Sequence, residues 1–285
     1  MIRALLLTSR PLSWVNTAYP FAAAYLLTAG RIDATFVVGT VFFLIPYNLA
    51  MYGINDVFDY ASDAKNPRKG GVEGALLAPR HHRATLWIAS LLLVPFVVYL
   101  VVVGSWASDL VLALSLFAVV AYSAAGLRFK ERPFLDSITS SIHFVSPAVF
   151  GLVLAGATPT ASLIALLLAY VLWGCASHAF GAVQDIGADR EAGIGSIATV
   201  IGARSTARLA LGLYVAAGVL LLLTPWPGPL AAILALPYAA NVAPWWSVTD
   251  ADAATANRGW RRFLWINYAT GFLVTLLLIW WALIR

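Results

Sequence analysis

Charge is what this chain has least of. Only 11% of its 285 residues are Asp, Glu, Lys or Arg, against roughly 25% in soluble domains, while 61% are hydrophobic and the mean hydropathy is +0.83. A soluble globular class is excluded, and a polytopic membrane protein remains. Cysteine is nearly absent: the single Cys175 rules out an intramolecular disulfide and any multi-cysteine metal site. Inside an apolar run it reads as a small core residue. No low-complexity segment and no room for a soluble domain are found. No cleavable leader is apparent either, because the first nine residues are too few and the apolar segment after them merges into a full span. The net charge of +5 comes from bases dispersed between apolar runs, so no nucleic-acid partner is expected.

What is there is a series of apolar runs. Segments of about twenty residues, enough to cross a bilayer, can be placed nine times: 11–30, 34–56, 84–103, 109–126, 136–156, 161–183, 206–224, 228–247 and 263–284. The expected fold is an all-α membrane protein, nine transmembrane helices in a bundle around a central cavity, forming one domain over 1–285. Of the 18 lysines and arginines, all but Arg31 and Arg285 fall in one alternating set of connections. The positive-inside rule then predicts a multi-pass protein of the cell membrane with a cytoplasmic amino terminus and an outer carboxyl terminus. The cytoplasmic connections after the second and sixth spans are long enough to form a polar cap. Kinks are expected at Pro46, Pro95, Pro147 and Pro237. Trp245, Trp246, Trp260, Trp280 and Trp281 are expected at the interface with the lipid headgroups.

The few acids are not scattered. Asn55, Asp56, Asp59 and Asp63 follow directly on an apolar span in the stretch NDVFDYASDAKNPRKGGVEG. At roughly 100° per residue they share about a third of a helix circumference. Ionisable groups in such a place default to a functional reading. Two carboxylates about 5 Å apart repel by roughly 3 kcal/mol at an effective dielectric near 20, so three on one face either take up protons or gather around a cation. Mg2+, a hard ion that prefers oxygen ligands and shares its shell with phosphates, suits the second outcome. Gln184, Asp185 and Asp189 repeat the arrangement, with the carboxylates at i and i+4 on one helix face. Both groups fall on the predicted cytoplasmic side.

At these residues the chain resembles the UbiA superfamily of intramembrane prenyltransferases, whose signatures are NDxxDxxxD and DxxxD. The strings SRPLSWVNTAYP, IPYNLAMYGINDVFDY, NPRKGGVEGA, AYSAAGLRFKERP and GAVQDIGADREAGIGSIATVIGAR resemble more closely the branch of lycopene elongases that make C50 carotenoids. The resemblance implies Mg2+ at Asn55, Asp56, Asp59, Asp63, Asp185 and Asp189, and catalytic roles for these residues and Tyr122. It implies that Arg10, Ser123 and Lys130 lie near the diphosphate of the prenyl donor. Arg68 and Lys69, just past the first cluster, are further candidates for the phosphate oxygens, and Gln184 is a neutral donor beside the metals. The second motif lacks the lysine-threonine pair common in the family, and Arg190 is the available replacement. Tyr52, one turn before Asn55, is the preferred ring for facing a passing carbocation, ahead of Tyr47 and Phe58. His143 and His178 read as hydrogen-bonded core histidines.

The resemblance implies transfer of dimethylallyl groups from dimethylallyl diphosphate to both ends of lycopene, through a C45 intermediate to a C50 product. The final cation is either deprotonated or hydrated. The partners implied are these two substrates, the membrane lipids and a separate downstream carotenoid cyclase. A UbiA-type transferase acting on a quinone precursor, a porphyrin or a lipid headgroup is the alternative. An ion or metal transporter fits less well, because a relay would distribute its charges through the membrane depth. Asp59→Asn is expected to abolish turnover while the protein still folds in membranes, and near-normal product formation by that variant would remove the metal assignment.

Overall fold

The computed structural model describes residues 1–60, 64 and 76–284, so Asp63, Arg68 and Lys69 lie outside the described residues. Among the described residues all regular structure is helical: α1 (Ile2–Thr8), α2 (Val15–Ala29), α3 (Ala34–Leu44), α4 (Pro46–Phe58), α5 (His82–Val103), α6 (Trp106–Ser123), α7 (Leu135–Leu154), α8 (Ala161–Val183), α9 (Ile186–Ala192), α10 (Ile197–Leu221), α11 (Ala235–Val242) and α12 (Asn257–Leu283). Seven stretches among these residues are long and apolar enough to cross a membrane, and they account for seven of the nine expected spans. The expected span at 11–30 is here a 3-10 turn at Pro11–Ser13 followed by the 15-residue α2. That at 228–247 is broken into a 3-10 stretch, Gly228–Leu234, and the short α11. Proline accounts for the breakage: Pro227, Pro229 and Pro237 each remove a backbone donor within about ten residues.

The chain divides into two compact units, residues 1–129 with 142–157, and residues 130–141 with 158–285. In the first, Phe21, Phe42, Phe43, Tyr47, Leu100, Leu112 and Phe150 form the core. Phe21 of α2 lies against Gly39 of α3 at a distance no Cβ would allow, and its carbonyl would stand 2.8 Å from a Cβ at Gly151 of α7. The kink expected at Pro46 is a full break, which splits the second span into α3 and α4. Carbonyls at the break are met by side chains. Thr17 Oγ1 and Asn48 Nδ2 each donate to the Phe43 carbonyl at 2.7 Å, and Asn48 also reaches that of Leu44 at 3.1 Å. Unsatisfied backbone groups cost several kcal/mol in lipid, which is why a break in a span needs such partners. Pro95 and Pro147 lie inside continuous helices, α5 and α7. Between α2 and α3, Asp33 caps α3 by accepting from Phe36 N at 2.9 Å. The Arg31 guanidinium and then that backbone donor hold its carboxyl down to about 2.

The second unit is built on small residues. Ala176 and Ala179 of α8 and Ala198, Ala203, Ala207 and Ala210 of α10 are buried in one cluster, the composition that lets membrane helices approach closely. Trp245, expected at the interface, is instead a core residue 7% exposed, with its ring 5.6 Å from that of Phe180 and its Nε1 donating to Thr255. The aromatic ring had an apolar pocket and a hydroxyl partner inside the protein, so it did not need the headgroups. Cys175 is buried, its thiol 3.7 Å from the Ser137 carbonyl. Two carboxylates organise α10. Asp136, fully buried, accepts from Ile197 N at 2.7 Å and so caps its start. Farther on, Gly202 is in the left-handed half of φ (79°) with ψ 162°, bending the helix, and Asp250 accepts from Ala203 N at 2.7 Å just past the bend.

Asp250 also pairs with Arg190 at 2.8 Å. The Ala203 N–H first, and then the Arg190 side chain, hold its carboxyl below the usual carboxylate range. Asp250→Ala is therefore expected to cost about 1 kcal/mol, the usual loss of a helix cap, and Asp250→Asn less. The difference between wild type and Asp250→Ala should be complete above about pH 4 and shrink as the pH falls through the lowered folded value. Thermal unfolding in detergent micelles across this range measures it.

Candidate active site

The first acidic motif sits where α4 ends. Asp56 and Asp59 are 2% and 4% exposed, far less than free carboxylates tolerate without partners. Each meets an arginine. Arg10 Nη2 donates to Asp56 Oδ1 at 3.0 Å, and Arg128 Nη2 stands 3.8 Å from Asp59 Oδ1. The Arg10 guanidinium also lies 4.2 Å over the Tyr52 ring, one turn back on α4, so Tyr52 here backs a base. Asn55 Nδ2 donates to Ser123 Oγ at 3.0 Å, which leaves the amide oxygen of Asn55 as the atom with ligand chemistry. Tyr122, beside Ser123 at the end of α6, meets the His143 ring edge-on at 5.1 Å.

The backbone supports these arginines in an unusual way. Three described non-glycine residues have positive φ, and two of them are Arg10 (51°) and Arg128 (41°). A left-handed conformation costs a residue with a Cβ of order 1–3 kcal/mol and persists where surrounding structure demands it. Arg10 is among the residues expected from the sequence; Arg128 is not, and enters there only as a topological charge. Its signal is the turn AAGLR, in which Gly126 (φ 86°) precedes a base two residues later.

The second unit holds the second motif at the junction of α8 and α9. Asp185 precedes α9 and Asp189 lies one turn on, its N–H donating to the Asp185 carbonyl at 2.9 Å. Gln184, expected as a neutral donor, has its Oε1 accepting from Asn257 Nδ2 at 2.6 Å while its own Nε2 donates to the Gly181 carbonyl. Arg190, the expected replacement for the family lysine, is engaged by Asp250 and donates to the Thr199 carbonyl at 3.0 Å. His178 accepts from or donates to Ser137 Oγ at 3.1 Å, in keeping with a hydrogen-bonded core histidine. Lys130, in a 3-10 turn at Phe129–Glu131, is partly buried.

Among the described residues no group of three or more His, Cys, Asp and Glu side chains stands close enough to hold a metal ion. The donor chemistry nevertheless fits a hard divalent cation: the ligating atoms offered by Asn55, Asp56, Asp59, Asp185 and Asp189 are all oxygens. Asp56 and Asp59 already sit beside positive charge and are buried from water.

Residues 17–269 match the sequence profile of the UbiA prenyltransferase family. The chain belongs to that family. As a UbiA prenyltransferase it is an enzyme, and its all-helical fold is that of solved relatives. A UbiA homolog from Archaeoglobus fulgidus bound to DMAPP and Mg2+ superposes with a TM-score of 0.70 over 93% of this chain and 98% of that one, at 18% identity. Closer in sequence is the lycopene elongase/hydratase of Corynebacterium glutamicum, 56% identical over 98% of this chain and 97% of that protein. The C(50) beta-cyclic carotenoids biosynthesis protein LbtBC of Dietzia sp. is 58% identical over the whole of this chain, which spans 66% of that protein's length.

Arg128→Ala is expected to lower kcat/KM for the prenyl donor by about tenfold to a hundredfold, the equivalent of the ~1.5–3 kcal/mol of a hydrogen bond to a charged group. Steady-state kinetics in reconstituted vesicles would check this, and an unchanged kcat/KM would take Arg128 out of the site.

Proposed function

We propose that this UbiA prenyltransferase is a lycopene elongase, transferring a dimethylallyl group from dimethylallyl diphosphate to each end of lycopene, C40 to C45 to C50. The observation that carries the reading is the near full-length likeness to the C. glutamicum protein, at an identity far above that shared with the solved relatives. The pairing of buried acids with arginines at the end of α4 gives it a site with suitable chemistry.

In this reading Asn55, Asp56, Asp59 and Asp63 in one motif would hold Mg2+, and so would Asp185 and Asp189 in the other. When bound, the metal acts as a Lewis acid that neutralises the leaving group. The protein's own bases complete that neutralisation. Arg10, Arg68, Lys69, Arg128 and Lys130 offer charge-assisted hydrogen bonds to phosphate oxygens, the arginines in the bidentate form that suits a phosphate. Tyr52 keeps the Arg10 guanidinium over its ring, and Ser123 orients Asn55. Tyr122 lines the region next to the allylic carbon, and Gln184 with Asn257 fixes the junction from which Asp185 projects. Departure of the diphosphate leaves an allylic cation, the terminal double bond of lycopene attacks it, and a new carbon–carbon bond forms.

Lycopene is about as long as the ~30 Å hydrocarbon layer is thick, so the acceptor reaches the site from the bilayer. We place nine spans of one domain in the cell membrane, with the amino terminus and both acidic motifs on the cytoplasmic side and the carboxyl terminus outside. Membrane lipids surround the protein, and a carotenoid cyclase acts on the C50 product in pathways of this kind. Expression in lycopene-producing cells is expected to yield C45 and C50 pigments. Lycopene that accumulates unchanged, with the protein present in the membrane, would overturn the acceptor assignment and leave the family membership standing.

A further inference from the structure

The proposed reaction ends on a tertiary cation that must give up a proton, and none of the residues assigned so far takes it. Arginine does not act as a base in proteins, and Asp56 and Asp59 pair with arginines and are assigned to the metal in the reading above. A buried histidine lies beside this group. His143 of α7 is 3% exposed, within a helix long and apolar enough to cross the membrane. Its ring meets the edge of Tyr122 at 5.1 Å. The residue after Tyr122, Ser123, bonds Asn55 beside Asp56. All of these belong to the first unit.

The helix is built to put polar groups there. Pro147, four residues after His143, has no N–H to give to the His143 carbonyl. Tyr47 Oη takes that place, donating to the carbonyl at 3.4 Å, and is itself 3.2 Å from Ser115 Oγ. Ser115 Oγ is in turn 2.6 Å from Ser146 Oγ. A hydrogen-bonded seam of Tyr47, Ser115 and Ser146 thus borders the backbone of His143 in an otherwise aromatic and aliphatic core. Polar and ionisable groups at this depth are expensive and mark function by default. The other histidines are placed differently. His81 and His82 lie at the start of α5, where His82 Nε2 bonds the Leu77 carbonyl. His178 is held by Ser137 in the second unit.

We propose that the imidazole of His143 is the proton acceptor of the terminal step, a proposal that rests on the carotenoid reading above. In the alkene-forming outcome, a C–H bond next to the cationic carbon breaks, its electron pair closes the new double bond, and the proton goes to the imidazole. In the hydrating outcome, a water oxygen forms the C–O bond and one of its protons goes to the imidazole. The imidazolium then returns the proton to the departing inorganic diphosphate or to solvent before the next round. A neutral imidazole is the side chain suited to accept and return a proton near neutral pH. The seam holds the opened turn, and so the ring, in place.

The test compares wild type, His143→Gln and His143→Phe in vesicles supplied with lycopene, dimethylallyl diphosphate and Mg2+. Release of inorganic diphosphate and formation of C45 and C50 pigments are measured side by side. Both variants are expected to keep diphosphate release within about threefold of wild type while pigment falls tenfold or more; the adduct cation that keeps its proton breaks its new carbon–carbon bond, returning lycopene and the allylic cation, which water captures as dimethylallyl alcohol. Pigment restored by Phe, which keeps an aromatic ring against Tyr122, would make His143 a packing residue and overturn the proposal. So would wild-type pigment yields in His143→Gln, or loss of diphosphate release together with pigment in both variants. Failure of the wild type itself to make C45 and C50 pigments would overturn the carotenoid reading, and the proposal with it, before either variant is consulted.

Discussion

A carboxylate withdrawn from water must be answered by positive charge or by hydrogen-bond donors, and in the first unit Asp56 and Asp59 are answered by positive charge. Removing one partner of a buried ion pair costs about 3–5 kcal/mol, whereas holding a non-glycine residue at positive φ costs about 1–3 kcal/mol. The ion pair therefore prevails over the backbone preference. Arg10 and Arg128 adopt left-handed backbone conformations and bring their guanidiniums to Asp56 and Asp59. The chain on either side is arranged accordingly: Pro11 follows Arg10 and opens a 3-10 turn, and Gly126 turns the chain two residues before Arg128.

A second requirement, that no backbone group in a span be left without a partner, is met twice by the same device. Beside the break at Pro46, Thr17 and Asn48 donate to the Phe43 carbonyl. At Pro147 the helix continues, and Tyr47 donates to the carbonyl that lost its bond. At Pro46 the helix stops and buried polar side chains take its last carbonyls, whereas at Pro147 one carbonyl within a continuous helix loses its donor and a tyrosine of another helix replaces it. Thr17, Asn48 and Tyr47 thus meet carbonyls beside the prolines. Asn48, Thr17, Tyr47 and Ser115, although in apolar company, each have a partner.

Much of this is legible in the residues themselves. The membrane class follows from composition, and the acidic motifs from spacing alone, because Asn55, Asp56 and Asp59 are brought together by a single helical turn. Arg10 is legible through the resemblance. Arg128 is not, since its relevance comes from a turn that points it back toward a helix some seventy residues earlier in the chain. Trp245 is misplaced by composition, which assigns tryptophan to the headgroup region on average, while its actual neighbours are Phe180, distant in sequence, and Thr255, in a separate 3-10 turn. The segments at 11–30 and 228–247 are apolar enough for spans but carry prolines whose effect on helix length hydropathy does not register.

One carboxylate in the second unit reaches further than its position in a surface loop suggests. Asp250 grips Arg190, the neighbour of Asp189, with one oxygen and the backbone of Ala203, just past the bend in α10, with the other. The short helix that carries the second motif and the elbow of the long one are thereby geared to the same side chain. The pitch of Asp189 and the angle at Gly202 become a single mechanical variable: turning either one alone would have to tear a short polar contact at the other end.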